Sequence, residues 1–197
     1  MRLRRIGTTV LLMLLLLTGC GEKGEQADDL ALAIRGEYLE MAGCSASLEV
    51  HADYGSRVYD YAMDAVWTGD GGLTLTLTAP EEVAGVTGRV LEGETALEFD
   101  GVYVETGPLD PSGLSPMDAF PALLTALREG YVAQSTLEEG EAEDVLHLTV
   151  RDAEGTPGQG REIQLWLGAE SHALLRGEIS SDGVVVLSCV VNGFTMT

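Results

Sequence analysis

The chain is almost without lysine. Lys23 is the only one, and lysine plus arginine total 11 against 32 aspartates and glutamates, a formal net charge of −21 over 197 residues. Nucleic acid and anionic membrane surfaces are bound through clustered basic side chains, and no such cluster exists here, so neither is expected as a partner. Cysteine and histidine are equally sparse, at three each. There is no Cys-x-x-Cys and no His-x-x-x-His, which leaves zinc without a ligand set. His51 and His147 read as residues of wet strand faces and His172 as a hairpin tip. A Gly-x-Ser-x-Gly elbow is missing, and neither Cys44 nor Cys189 has a histidine near it in sequence. No glycine-rich loop precedes a helix in the way a phosphate cradle requires. Asp60 and Asp64 share strand parity, but among 32 acids such pairs arise by chance and nominate no glycosidase. The acidic run from Glu138 to Asp144 lacks the ligand rhythm of a calcium loop and reads as a solvated tip. The expectation is a protein that is not an enzyme and holds neither metal nor cofactor. Long-period repeats and internal linkers are absent as well, so one domain is expected.

What the chain does have begins at its N-terminus. Met1-Arg2-Leu3-Arg4-Arg5 is cationic, Val10 to Leu17 is an almost unbroken apolar run too short to span a bilayer comfortably, and Leu17-Thr18-Gly19-Cys20 closes it. This arrangement resembles a bacterial lipobox. The resemblance implies that residues 1–19 are a signal peptide and that Cys20 carries lipid, whose buried methylenes at about 0.8 kcal/mol each hold the protein on a membrane. The implied location is the extracytoplasmic face of a cell membrane, in a periplasm or at a cell surface. Removing residues 1–19 takes away three arginines and no acid, leaving 8 basic residues against 32 acidic and a formal charge of −24. Such acidity keeps a surface protein soluble. Residues 20–27 read as the lipidated cysteine and a short polar tether, and residues 28–197 as the folded domain.

From Asp28, the apolar residues Leu30, Ile34, Tyr38 and Met41 recur at helical spacing, with Gly43 as the stop. The period then changes to two. Alternating runs are expected from Ser45 to Ala52, Val58 to Thr68, Leu73 to Thr78, Val83 to Leu91, Thr95 to Phe99 and Val102 to Thr106. Glu92-Gly93-Glu94 and Asp100-Gly101 fit tight hairpins. Ser115-Pro116 reads as N-cap and N1 of a second helix with Phe120, Leu123, Leu124 and Leu127 on its apolar stripe, and Pro121 is expected to shift or kink it. Five further strands are expected from Tyr131 to Leu137, Asp144 to Asp152, Arg161 to Gly168, Ala173 to Ser181 and Val184 to Phe194. Cys44 shares parity with Ala46, Leu48 and Val50, and Cys189 with Val185, Leu187 and Val191, so both thiols are expected inside. Two extracytoplasmic cysteines can pair, and a Cys44–Cys189 disulfide is the expectation, the alternative being two small buried hydrophobes.

A helix, six meandering strands, a helical insertion and five more strands resemble the LolA/LolB-like superfamily of bacterial lipoproteins, in its LppX/LprG-like half-barrel form. Ala79-Pro80-Glu81-Glu82-Val83-Ala84-Gly85-Val86 resembles the passage after that family's third strand. Arg176-Gly177-Glu178 and Asn192-Gly193-Phe194 resemble its late hairpin and last strand. The resemblance implies an α+β fold: a strongly curved, unclosed antiparallel barrel of about eleven strands, with helices over the concave face and a cavity for acyl chains beneath them. Tyr59, Tyr61, Met63, Trp67, Leu73, Leu75, Leu77, Phe99, Phe120, Leu123 and Leu127 are the residues expected to line it. An open curved sheet has an inner face too wide for its own side chains, which is why plugs or a ligand must cover it. The function expected is that of a membrane-anchored lipoprotein binding or carrying a lipid or other hydrophobic ligand. The alternative is an envelope sensor or regulatory module that recognises a protein without lipid cargo.

Overall fold

The structure, a computed structural model, describes residues 21–91, 94–108 and 110–197. Cys20, the signal segment and the turn at Glu92-Gly93 lie outside the described residues. Helix α1 is Gly21–Glu40. Strands β1 (Gly43–Asp53), β2 (Val58–Thr68), β3 (Leu73–Ala79), β4 (Thr87–Leu91), β5 (Glu94–Phe99) and β6 (Val102–Thr106) follow, then α2 (Pro116–Glu129). The chain ends with β7 (Tyr131–Glu138), β8 (Val145–Arg151), β9 (Arg161–Gly168), β10 (Leu174–Ser181) and β11 (Val184–Met196). All eleven strands form one sheet in the order β6-β5-β4-β3-β2-β1-β11-β10-β9-β8-β7, antiparallel throughout and not closed. Two meanders are thus sewn together by the pairing of the first strand with the last. The expected unclosed, curved barrel with two helices is the fold observed.

Two boundaries and one expected kink depart most from the sequence reading. The first helix starts at Gly21 and not at Asp28, so the segment read as a tether forms its opening turns. Glu, Gln, Lys and Ala are good helix formers, and Ala27 is already fully buried, which extends the apolar stripe to Ala27, Ala31, Ile34, Tyr38 and Met41. β4 begins at Thr87 and not at Val83, because Val83 N donates to Pro80 O in a turn and Gly85 takes a left-handed φ of 89°. The second helix runs through Pro121 unbroken, capped by Ser115, whose hydroxyl oxygen accepts from Asp118 N.

Inward-facing residues follow the strand parity. Ala46, Leu48 and Val50 of β1 lie between Met63 and Ala65 of β2 and Leu187, Cys189 and Val191 of β11, and all are buried. At the end of β11, a bulge at Asn192-Gly193, with Gly193 at φ 61°, switches the parity. Phe194 therefore turns inward and stacks on Tyr38 of α1, with 5.6 Å between ring centroids. A second shift beside Val185 turns that residue out of the core.

The two helices brace each other at their C-terminal ends, where each leaves carbonyls without intrahelical partners. Arg128 Nε of α2 donates to Tyr38 O of α1 at 3.1 Å, and Arg35 Nη2 of α1 donates to Arg128 O at 2.9 Å. The Arg128 guanidinium also lies 4.7 Å from the ring centroid of Trp67 on β2. Its positive charge suits the negative end of a helix dipole.

The expected Cys44–Cys189 disulfide is not formed, and both thiols are free and buried. Parity places both inside, as expected, but Cys189 stands opposite Val50, six positions along β1 from Cys44. That is about 20 Å of strand, far beyond the roughly 7 Å limit for a bridge. Burial pushes the Cys44 thiol up to about 11, against the opposing pull of Arg128, and pushes Cys189 up to about 12.

Two measurements check this description. Iodoacetamide should leave Cys44 and Cys189 unlabelled in the native protein at neutral pH and label both after denaturation without reductant; a pair that labels only after reduction would contradict the free thiols. Arg128→Ala should lower the unfolding free energy in urea by about 2 kcal/mol, through lost charge-assisted hydrogen bonding and cation–π contact, with Arg128→Lys intermediate.

Candidate functional site

α2 divides the concave face unequally. Along its middle it presses on the far meander: a Cβ added at Gly177 of β10 would overlap the Leu123 side chain, so only glycine admits the helix this closely. Phe120, Leu123 and Leu127 are fully buried there, in one continuous core with Leu146, Leu148, Ile163, Leu165 and Ile179. At its N-terminal end, α2 reaches over the other meander with Met117, whose Cε lies 2.7 Å from the place a Cβ would take at Gly88 of β4. Beyond Met117, no helix among the described residues covers β5 and β6.

At this end of the concave face lies a hollow of about 240 Å³ lined by Leu73, Leu75, Val90, Thr95, Leu97 and Met117, among others. Cross-strand register explains the lining, because Leu75, Gly88, Leu97 and Val104 stand in one row across β3 to β6, and Leu73, Val90, Thr95 and Thr106 in the next. The same face continues outward to the sheet edge without cover: Leu97 is 37% exposed, Phe99 49%, Val102 63% and Val104 53%. This is an apolar floor with one wall. Asp118, at the third position of α2, borders the hollow with its carboxylate held by Ser115 Oγ at 2.6 Å.

The residues expected to line a cavity separate into three groups. Leu73 and Leu75 line the hollow. Met63, Leu77, Phe120, Leu123 and Leu127 belong to the packed core, which corrects the sequence expectation: the helices and their facing strands fill that half with their own side chains. Phe99 is on the open floor, Trp67 is half-buried under Arg128, and Tyr59 and Tyr61 stack on each other with centroids 6.2 Å apart. Tyr54 meets Tyr59 edge-on and donates to Leu114 O at 2.8 Å, tying the segment before α2 to the sheet. Burial first, then the nearby Tyr61, Tyr59 and Asp118, raise the Tyr54 phenol above its ordinary value. Leu97 and Val104 were not among the residues expected to line a cavity, although they share the parity of Phe99 and its pair Val102, a signal that could have found them. Met117 and Gly88 carry no such signal, since their meeting depends on where α2 crosses.

Elsewhere, each of the three histidines has a carboxylate partner. His51 lies 2.7 Å from Asp60, His147 2.7 Å from Glu138, and His172 2.7 Å from Glu37. Glu143, from the run read as a solvated tip, accepts from Ser171 Oγ and from the backbone N–H of Ser171 and Glu170, which holds its carboxyl below the usual range. Among the described residues, no group of three His, Cys, Asp or Glu side chains gathers to hold a metal ion.

No family model matches the sequence, and a search among curated proteins finds no significant relative. Solved structures do match. An uncharacterized conserved protein from Thermus thermophilus superposes with a TM-score of 0.52 at 11% identity, covering 87% of this chain and 88% of that one. LprF from Mycobacterium bovis matches with a TM-score of 0.50 at 15% identity, over 86% of this chain and 93% of LprF. MucB matches with a TM-score of 0.50 at 12% identity, over 87% of this chain and 58% of MucB. The chain therefore shares the fold of these three structures.

A floor that is not part of the core should tolerate polarity. Val102→Thr and Val104→Thr, which keep the β-branch, should change unfolding free energy by less than about 0.5 kcal/mol. Leu123→Ala should cost about 2–5 kcal/mol, measured by urea denaturation.

Proposed function

We propose that this protein is anchored by lipid on Cys20 to the extracytoplasmic face of a membrane and binds a single acyl chain, or a lipophilic group of similar girth, on the open half of its concave face. The observation that carries the reading is the uneven cover: the middle of the far meander is packed against α2, while Leu97, Phe99, Val102 and Val104 lie exposed beside a hollow lined by Leu73, Leu75 and Val90. Contiguous apolar surface of this kind marks a binding site more often than an accident of folding. The size limits the occupant. About 240 Å³ holds roughly eight groups the size of a water molecule, which fits part of one chain and not a multiply acylated lipid buried whole. Asp118, at the helix end of the hollow, offers a carboxylate where a head group would emerge. No catalytic step belongs to this reading.

Lipid attachment is checked by the mass of the mature protein, which should exceed that of residues 20–197 by acyl groups on Cys20. For the hollow, Cys20→Ser protein purified gently should carry one lipid per chain in native mass spectrometry and bind a fluorescent fatty acid saturably. Gly88→Phe, which puts a ring between Met117 and Leu97, should weaken that binding at least tenfold with the circular dichroism spectrum unchanged. An empty protein with no saturable binding would overturn the proposal.

A further inference from the structure

The two edges of the sheet are treated differently. At one edge, α1 packs against β7, and the Ser135 hydroxyl donates to Asp28 of the helix. At the other, β6 has β5 on one side and, among the described residues, nothing on the other, and every one of its residues is exposed. Its Val102-Tyr103-Val104 run combines strong strand propensity with exposures of 63%, 60% and 53%. Folded proteins commonly guard such an edge with lysine, proline, a bulge or a covering element. β6 has none of these, and Glu105 is its only charge.

We propose that β6 is a docking edge for an extended peptide segment with alternating basic and apolar residues, added as a twelfth, hydrogen-bonded strand. The alternation follows from the two faces of the edge. Val102 and Val104 continue the apolar floor with Phe99 and Leu97 on the concave side, so every second residue of the added strand meets apolar surface. Tyr103 and Glu105 are on the convex side, opposite Glu98 and Ala96. Asp100 lies at the turn between β5 and β6, and the one arginine of the three edge strands, Arg89, is already bonded to Glu98 at 3.2 Å. The intervening residues of the partner therefore face Glu105 and the exposed Tyr103 ring, with Asp100 at the end of the strand, which favour lysine or arginine. A second copy of this chain fits poorly, because two β6 edges would bring Glu105 and Asp100 against their own kind in a molecule of high negative charge. The docking edge shares its apolar floor with the acyl-chain reading but is held by the backbone hydrogen bonds of β6, so it stands if acyl binding fails.

The test uses the full chain in neutral-detergent micelles, with empty micelles as the blank, and a fluorescein-labelled peptide of nine alternating lysines and valines. Saturable binding is expected, weakening at least tenfold when alternate peptide nitrogens are methylated, when glutamate replaces lysine, or in the Tyr103→Lys, Glu105→Lys double variant. Hydrogen exchange should slow at residues 102–106 and not at β7. Equal binding of the methylated or glutamate peptide, slowed exchange elsewhere, no binding at all, or sedimentation showing that the chain dimerises through β6 would each overturn the proposal. A fatty-acid titration of the same sample separates the two readings, because loss of acyl binding leaves the peptide result intact.

Discussion

The pairing of β1 with both β2 and β11 is the constraint on which the rest of the molecule depends. Each meander alone is a set of hairpins made from neighbours in sequence, and each would leave an apolar face half in water. Joining the first strand to the last turns them into a single sheet whose two ends, β6 and β7, are consecutive in sequence yet far apart in space. The chain must therefore cross the whole concave face between them, and α2 is that crossing. A helix forced to run there comes to rest on whatever lies beneath, and Gly177 on one side and Gly88 on the other record its track as the places where a side chain would not fit.

One helix is too narrow for an eleven-stranded face. α2 is pulled toward the far meander because α1 already covers that end, and the exchange of arginines between the two helix C-termini, Arg128 to Tyr38 O and Arg35 to Arg128 O, holds them as a unit. The uncovered strip under β5 and β6 is what remains when both helices are spent on the same half. The hollow is a consequence of topology and uneven cover, and no residue in it is chemically specialised.

Most of the fold was legible because its signals are local. Period-two alternation marked all eleven strands, turn residues marked most of their ends, and Ser115-Pro116 marked the start of α2. The misreadings share a different cause. The disulfide failed because parity fixes which face a side chain takes and says nothing about distance along the strand, which depends on the β1–β11 register. The core residues assigned to a cavity, such as Phe120 and Leu123, failed for a similar reason: an apolar stripe looks the same in sequence whether it borders a void or fills it. Arg128 was invisible, since nothing in Leu127-Arg128-Glu129 shows that a guanidinium will find a tryptophan on β2 and a carbonyl at the end of another helix. The early start of α1 was missed because glycine and charge near Cys20 read as a tether, whereas burial of Ala27 draws the helix back past them.

An exposed strip containing Leu97, Phe99, Val102, Tyr103 and Val104 is ordinarily an aggregation hazard, above all on an unguarded strand edge. Here, the guard is not on the strand itself but spread over the whole surface. Thirty-two acids against 11 bases give each molecule a field that opposes the approach of another copy. Repulsion between like molecules lets an apolar edge stay open without lysine or proline to blunt it, at an ionic strength low enough that screening does not erase the field. The same field attracts a partner of opposite charge. On the docking proposal, net charge and bare edge belong to one design: the acidity that opposes the approach of another copy of this chain attracts a basic partner to the edge.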